Sequence, residues 1–202
     1  MKLTHSILLY TFLASTAVAQ APAPTPAPAR VSRPPYQAVM QLASPAWRDG
    51  DVIPAKYSQS ERDVSPPLTW SGAPEGTVSF VILAHDLDLV SPRGDGLVLS
   101  WLVWNIPKSK TSLPEGLPEG ANLPDGVRQI SDSGPFYRGP AGPHWDPPHH
   151  YEFRIYALSS MLDVPALPVP GQSSTAVRAA VEAAMVGKIL AQGVLLGTYQ
   201  RP

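Results

Sequence analysis

The stretch Ser79–Asp88, SFVILAHDLD, constrains this chain more than any other. Read with the two-residue period of a strand, Phe80, Ile82 and Ala84 share one face, and Asp86 and Asp88 follow on that same face. An apolar strand therefore ends in two carboxylates on its buried side. A carboxylate taken out of water needs charged or hydrogen-bonding partners, or it takes up a proton. The end of this strand is thus either a polar network closing the core or the floor of a site.

The neighbouring segments also read as strands. In Leu97–Pro107 the residues Val98, Ser100, Leu102, Trp104 and Ile106 alternate with Leu99, Trp101, Val103 and Asn105. Both sets are mostly apolar, as in a central strand covered on both sides, with Trp101 and Trp104 in core on opposite faces. In His149–Leu158, His149, Tyr151, Phe153, Ile155 and Ala157 form an apolar face. His150, Glu152, Arg154 and Tyr156 form the polar one, so the two adjacent histidines are expected to part company. Tyr36–Ala43 has strand character, and Val52–Tyr57 reads as an edge strand because Pro54 has no amide hydrogen to give a central ladder. Ser65–Gly72 is extended, with Leu68 and Trp70 on one face.

Twenty-five prolines in 202 residues, roughly twice the usual share, argue against long helices. One helix is expected, over Ser173–Ala191, capped by Ser173 or Ser174. Val177, Val181, Met185 and Ile189 make its apolar stripe, Gly193 ends it, and Val194–Tyr199 forms a last short strand. Residues 108–148 are Gly/Pro-rich and too long for a passive connection, so they are expected to shape a site. Their near-repeat LPEG, LPEG, LPDG is a run of turns. The pattern predicts a mainly antiparallel β domain with a peripheral helix.

The N-terminus is expected to stand outside the fold. Lys2, the apolar run Ile7–Val18 and the A-x-A sites at Ala17–Ala21 read as a secretory signal over 1–21, cleaved near 19–21. Residues 22–35 are an Ala/Pro-rich linker with nothing to bury, and 36–202 the folded domain. Removal of the signal leaves no transmembrane span, which predicts a periplasmic or secreted protein. The absence of cysteine suits that location and excludes disulfides and thiolate metal sites. A formal net charge of −1 gives no basis for nucleic acid as a partner.

Five blocks, SPPLTWSGAPEGTVSF (65–80), HDLD (85–88), SWLVWNIP (100–107), RGP (138–140) and PHHYEFRIYAL (148–158), together resemble the phosphatidylethanolamine-binding protein family, and most of all its bacterial, Raf kinase inhibitor-like branch. The resemblance spans roughly residues 36–200. It implies a large antiparallel sheet packed on a smaller sheet, with peripheral helices including a C-terminal one. It also implies a small anion pocket at the strand ends. Carried over position by position, that pocket comprises Asp86, Asp88, Ser100, Gly139, Pro140, His149 and Tyr151. Two positions depart from the family pattern: Leu87 stands between the aspartates where proline is common, and Ser100 replaces a histidine. A serine hydroxyl can donate to an anion but carries no charge, so weaker anion binding is expected.

Other chemistries fit less well. Ser100, His149 and Asp86 are the residue types of a hydrolytic triad, but Ser100 sits in no G-x-S-x-G elbow. His85, Asp86, Asp88, His144, His149 and His150 form a nitrogen/oxygen ligand pool, but adjacent members fall on opposite strand faces and no H-x-x-x-H spacing organises them. No catalytic residue, metal or cofactor is therefore assigned. The leading expectation is a secreted, non-enzymatic binding protein for phosphate or a phospholipid headgroup. In it His149 and the Gly139 backbone would donate to the anion, Asp86 and Asp88 would shape the floor, and Tyr137 or Trp145 would line the mouth. The alternative is a protein-interaction module inhibiting an extracytoplasmic protease or kinase.

Overall fold

The computed structural model describes residues 38–91, 96–166 and 174–202. The signal, the linker and the Ser173 cap lie outside them. Among the described residues nine strands form two sheets. The strands are β1 (Ala38–Val39), β2 (Gln41–Ala43), β3 (Leu68–Ser71), β4 (Ser79–Val90), β5 (Leu97–Pro107), β6 (Ser112–Leu113), β7 (Arg128–Ile130), β8 (His149–Leu158) and β9 (Ile189–Tyr199). The large sheet has the order β1-β9-β8-β4-β5-β7, antiparallel except for the short β1–β9 pair, and the small antiparallel sheet has the order β2-β3-β6. The expected architecture of a larger sheet on a smaller one is present. Among the described residues no helix is long and apolar enough to cross a membrane.

Two apolar layers hold the large sheet. Phe80, Ile82 and Ala84 of β4 join Tyr151, Phe153 and Ile155 of β8 in a core shared with Leu42 and Trp70 of the small sheet. On the other side Val81 and Leu83 pack with Leu99, Trp104 and the helix α1 (Ser174–Met185). The period-two reading of β4 and β8 thus matches the layers. The helix buries Val177, Val181 and Met185, each worth about 1.5–3 kcal/mol of removed apolar surface.

In β5 the simple alternation fails twice. Ala84 and His85 are successive in β4, but their partners are Trp101 and Leu99, so Ser100 is an extra residue. Phe80 and Ile82 face Ile106 and Val103, which inserts another. These are β-bulges, and each reverses which face the following residues take. Hence Trp101 and Ile106 lie in the inter-sheet core, whereas Leu99, Leu102 and Trp104 lie under the helix. The second bulge coincides with Asn105, whose φ of 59° is a left-handed conformation that Asn tolerates. Its side chain donates to the Leu162 carbonyl (2.9 Å) and accepts from the Leu162 amide (2.8 Å), anchoring the loop after β8.

Three expected elements change. The helix ends at Met185, because Gly187 (φ 75°) breaks it, and Ile189 opens β9. Gly193 lies within that strand, where a Cβ would overlap the Met40 carbonyl. Instead of an edge strand, Val52 makes a single bridge to Thr198, and Ala55–Tyr57 is a short 3-10 turn after Pro54. The described part of the expected Tyr36–Ala43 strand, 38–43, divides: β1 pairs with β9 and β2 with β3, the switch falling at Met40, whose amide donates to the Gln192 carbonyl.

Candidate functional site

β4, β5 and β8 bring their ends together with the 132–142 segment around a cavity of about 140 Å³. Its lining includes Asp86, Ser100, Gly139 and Tyr151, four of the residues expected from sequence. Gln59, Asp132, Ser133, Arg138, Ala141 and Gly142 complete the polar wall and the loop. The volume is well below that of a drug-sized site and suits a ligand of a few heavy atoms.

Asp86 is the buried carboxylate anticipated at the end of β4, 3% exposed. Its charge is met on both oxygens. Oδ1 accepts from the Asp88 amide (3.0 Å), and Oδ2 accepts from His149 Nδ1 (2.8 Å). An ionised carboxylate only accepts, so the proton on this imidazole is held at Nδ1. His149 Nε2 lies 3.6 Å from Asp146 Oδ2, the distance of an ion pair and not of a hydrogen bond. Burial draws the His149 pKa down, but the Asp86 hydrogen bond and charge, with Asp146 and Asp88, outweigh it and leave the pKa raised.

His149 does not line the cavity. Its ring face lies on Gly142, where a Cβ would come within 3.2 Å of three ring atoms. Both nitrogens face carboxylates, which leaves neither directed at Ser100 as a base would be. Asp88 is not part of the floor either. The β4–β8 register ends at Asp86–Tyr151, and beyond it Asp88 turns outward, accepting from the His150 amide (2.6 Å) and facing His150 Nδ1 (2.9 Å). These bonds lower the Asp88 pKa. Pro140 is buried next to the cavity, with its carbonyl taken by the Gln59 amide (3.0 Å). Tyr137 is core, packed edge-on to Trp101, and Trp145 is 74% exposed; neither lines the cavity.

Tyr151 is the unusual group. It is 2% exposed, and its hydroxyl makes no hydrogen bond of proper geometry. It faces Asp86 and the backbone amides of Ala141 and Gly142. Burial, then the Asp86 charge, raises its pKa, so it keeps its proton as a donor. A buried hydroxyl without a partner costs roughly 1–3 kcal/mol unless something fills the gap.

Sequence reasoning missed the framework that shapes the loop wall. Asp63, itself at φ 53°, accepts from Arg138 Nη1 (2.9 Å) and from the Gly139 amide (2.7 Å). Gln59 Nε2 donates to the Gly139 carbonyl (2.8 Å), and Gly139 has no room for a Cβ against the Tyr57 carbonyl. The Arg138 amide donates to the Ser100 carbonyl, tying this loop to the first bulge (2.9 Å). Asp132 exchanges two bonds with Leu99, its Oδ2 accepting from the Leu99 amide (2.9 Å) and its amide donating to the Leu99 carbonyl (3.1 Å). Among the described residues no group of three or more His, Asp or Glu is arranged to hold a metal ion.

Comparison with known proteins adds to the geometry. The family model described as phosphatidylethanolamine-binding protein matches residues 43–200. A UPF0098 protein of Methanothermobacter thermautotrophicus is 37% identical over 164 residues, 80% of this chain and 99% of that protein. The Mycobacterium tuberculosis protein named "Putative lipoprotein LppC" is 32% identical over 163 residues, 80% of this chain and 72% of that one. Among solved structures, Escherichia coli YbcL, described as a new member of the mammalian PEBP family, aligns with a TM-score of 0.66. It is 31% identical, with 82% of this chain and 100% of that chain covered. The chain belongs to the phosphatidylethanolamine-binding protein family.

Proposed function

We propose that this is a non-enzymatic binding protein of the cell envelope or its exterior, whose cavity takes one small oxyanion, either phosphate or the phosphate of a lipid headgroup. The observation that carries this reading is the buried Tyr151 hydroxyl, which makes no hydrogen bond of proper geometry and lines a small cavity with Ala141 and Gly142. A tetrahedral oxyanion would supply that hydroxyl with an acceptor of good geometry, which the facing Asp86 carboxylate does not. Ser100 adds a neutral donor at the bulge. His149 acts from behind: it fixes Asp86, and its Nδ1–H bond engages the carboxylate that would otherwise repel the ligand unopposed. The family's usual histidine contact to the anion is thereby replaced by a Tyr151 contact. The sequence signal over 1–21 and the lipoprotein name of one relative support the envelope location. With neither His149 nitrogen aimed at Ser100, the hydrolytic alternative has no support in the geometry.

Calorimetric titration of inorganic phosphate into the wild type and Tyr151→Phe tests the proposal. Removing the hydroxyl breaks no hydrogen bond of proper geometry within the protein, so stability should stay within about 1 kcal/mol of the wild type while phosphate affinity falls about tenfold. Equal affinity in the two proteins would remove Tyr151 from the site. No phosphate binding by the wild type would end the oxyanion reading.

A further inference from the structure

His149 stands between two carboxylates that belong to different parts of the site. Asp86, the buried floor of the cavity, meets Nδ1 at 2.8 Å, and Asp146 of the turn before β8 lies 3.6 Å from Nε2. Asp86, Asp146 and, further along β4, Asp88 are the charged groups that act on the ring. Tyr151 stacks beside it, and Tyr199 of β9 stands opposite with its hydroxyl bonded to Ser58. A neutral imidazole has one N–H and one bare nitrogen, so in either tautomer one carboxylate faces a lone pair. Only the imidazolium turns a hydrogen toward both. Asp86 is the fixed partner, 3% exposed and held also by the Asp88 amide. Asp146 is half-buried on a turn, so it is the partner that gives way.

That turn borders the cavity. It follows Gly142 directly, and the Asp146 amide donates to the Pro143 carbonyl (3.1 Å). Gly142 lies against the His149 ring face, and Ala141 and Gly142 line the cavity with Tyr151. The Asp146 carbonyl accepts from Gln200 Nε2 (3.1 Å), so the backbone of the turn is tied to the chain end and its carboxylate is what ties it to the ring. Resting on the oxyanion reading above, we infer that Asp146 is a positioning residue for the anion: paired with protonated His149 it holds the Ala141–Gly142 wall in its binding position, and loss of the His149 proton releases that wall and weakens anion binding. The ligand's phosphorus chemistry is unrestricted by this device, so free phosphate and a headgroup diester are affected alike. The raised His149 pKa places the change above pH 6.5.

The experiment titrates inorganic phosphate, and in a second arm dimethyl phosphate, into the wild type and Asp146→Asn by calorimetry. The two arms distinguish free phosphate from a headgroup diester as the preferred source. Each is run at about pH 6 and again about two pH units above the His149 midpoint found by NMR, where the imidazole is neutral. An asparagine offers the ring either a carbonyl or an NH2, so it suits both protonation states. The ligand's own titration is common to the two proteins and cancels in their ratio. At about pH 6 the two affinities should agree within about threefold, and at the upper pH Asp146→Asn should bind at least about tenfold more tightly than the wild type. A merely structural role for Asp146 would weaken the variant equally at both pH values. A wild-type-to-variant ratio that does not change with pH, for whichever probe binds, would therefore overturn the inference and leave the pocket standing. Failure of both probes to bind the wild type at about pH 6 would sink the oxyanion reading and this inference with it.

Discussion

Acid should destabilise this fold through His85, which lies on the helix side of β4. His85 is 8% exposed and its Nε2 has no hydrogen-bond partner. Burial, then the Arg178 charge from α1, lowers its pKa from 6.5 to about 4; Arg154 of β8 adds to this and Glu152 opposes it. In the unfolded chain the imidazole takes up a proton near pH 6.5. In the folded protein it stays neutral until about pH 4. Between those values the unfolded state binds more protons, so stability falls as pH falls, by up to ~1.4 kcal/mol per pH unit. Over the whole window the loss is about 3 kcal/mol, complete below about pH 4, a large share of a typical domain's stability. Urea unfolding of the wild type and His85→Leu at about pH 7 and about pH 4 isolates the effect, because other carboxylates titrate alike in both. The wild type should lose about 3 kcal/mol more than the variant. Equal losses, or a His85 imidazole titrating near 6.5 by NMR, would refute the reasoning.

Other outcomes follow from single contacts. His149 has the opposite sign: its raised pKa gives stability that is full below about 6.5 and is lost as pH rises through the folded value. An NMR titration should place its midpoint above 6.5, and His149→Gln should abolish that loss. Asn105→Ala removes both bonds to Leu162 and leaves a buried amide and carbonyl unpaired, which should cost about 2–4 kcal/mol by denaturant unfolding. Gly139→Ala drives a Cβ into the Tyr57 carbonyl, and should cost about 1–3 kcal/mol together with phosphate binding. Gln129→Leu strands the Trp101 indole N–H and releases the carbonyls of Pro118 and Gly120, so the melting temperature should fall by several degrees, roughly 4 °C or more.

Much of the large sheet was legible because β4 and β8 keep a strict two-residue period between two apolar layers. The same logic put Asp86 and His149 on matching faces, where they meet at 2.8 Å; Tyr151 entered the site through the family resemblance. The period misassigned residues in β5 because bulges at Ser100 and Asn105 reset the alternation, and only an Asn in an otherwise apolar run hinted at either. Asp88 was misplaced for a related reason: a period says which face a residue takes but not where the neighbouring strand stops pairing. The wall formed by Asp132, Arg138 and Asp63 was hidden because its members are far apart in sequence and meet through backbone amides. No residue type advertises such contacts. Gly187, not Gly193, ends the helix because the choice depends on φ, which composition does not report.

The most direct test of the account is a crystal structure grown in phosphate. The account predicts one tetrahedral ion in the cavity, within hydrogen-bond distance of Tyr151 Oη and of the Ala141 or Gly142 amide. A cavity holding only water at millimolar phosphate, or phosphate seated instead at His150, would contradict it.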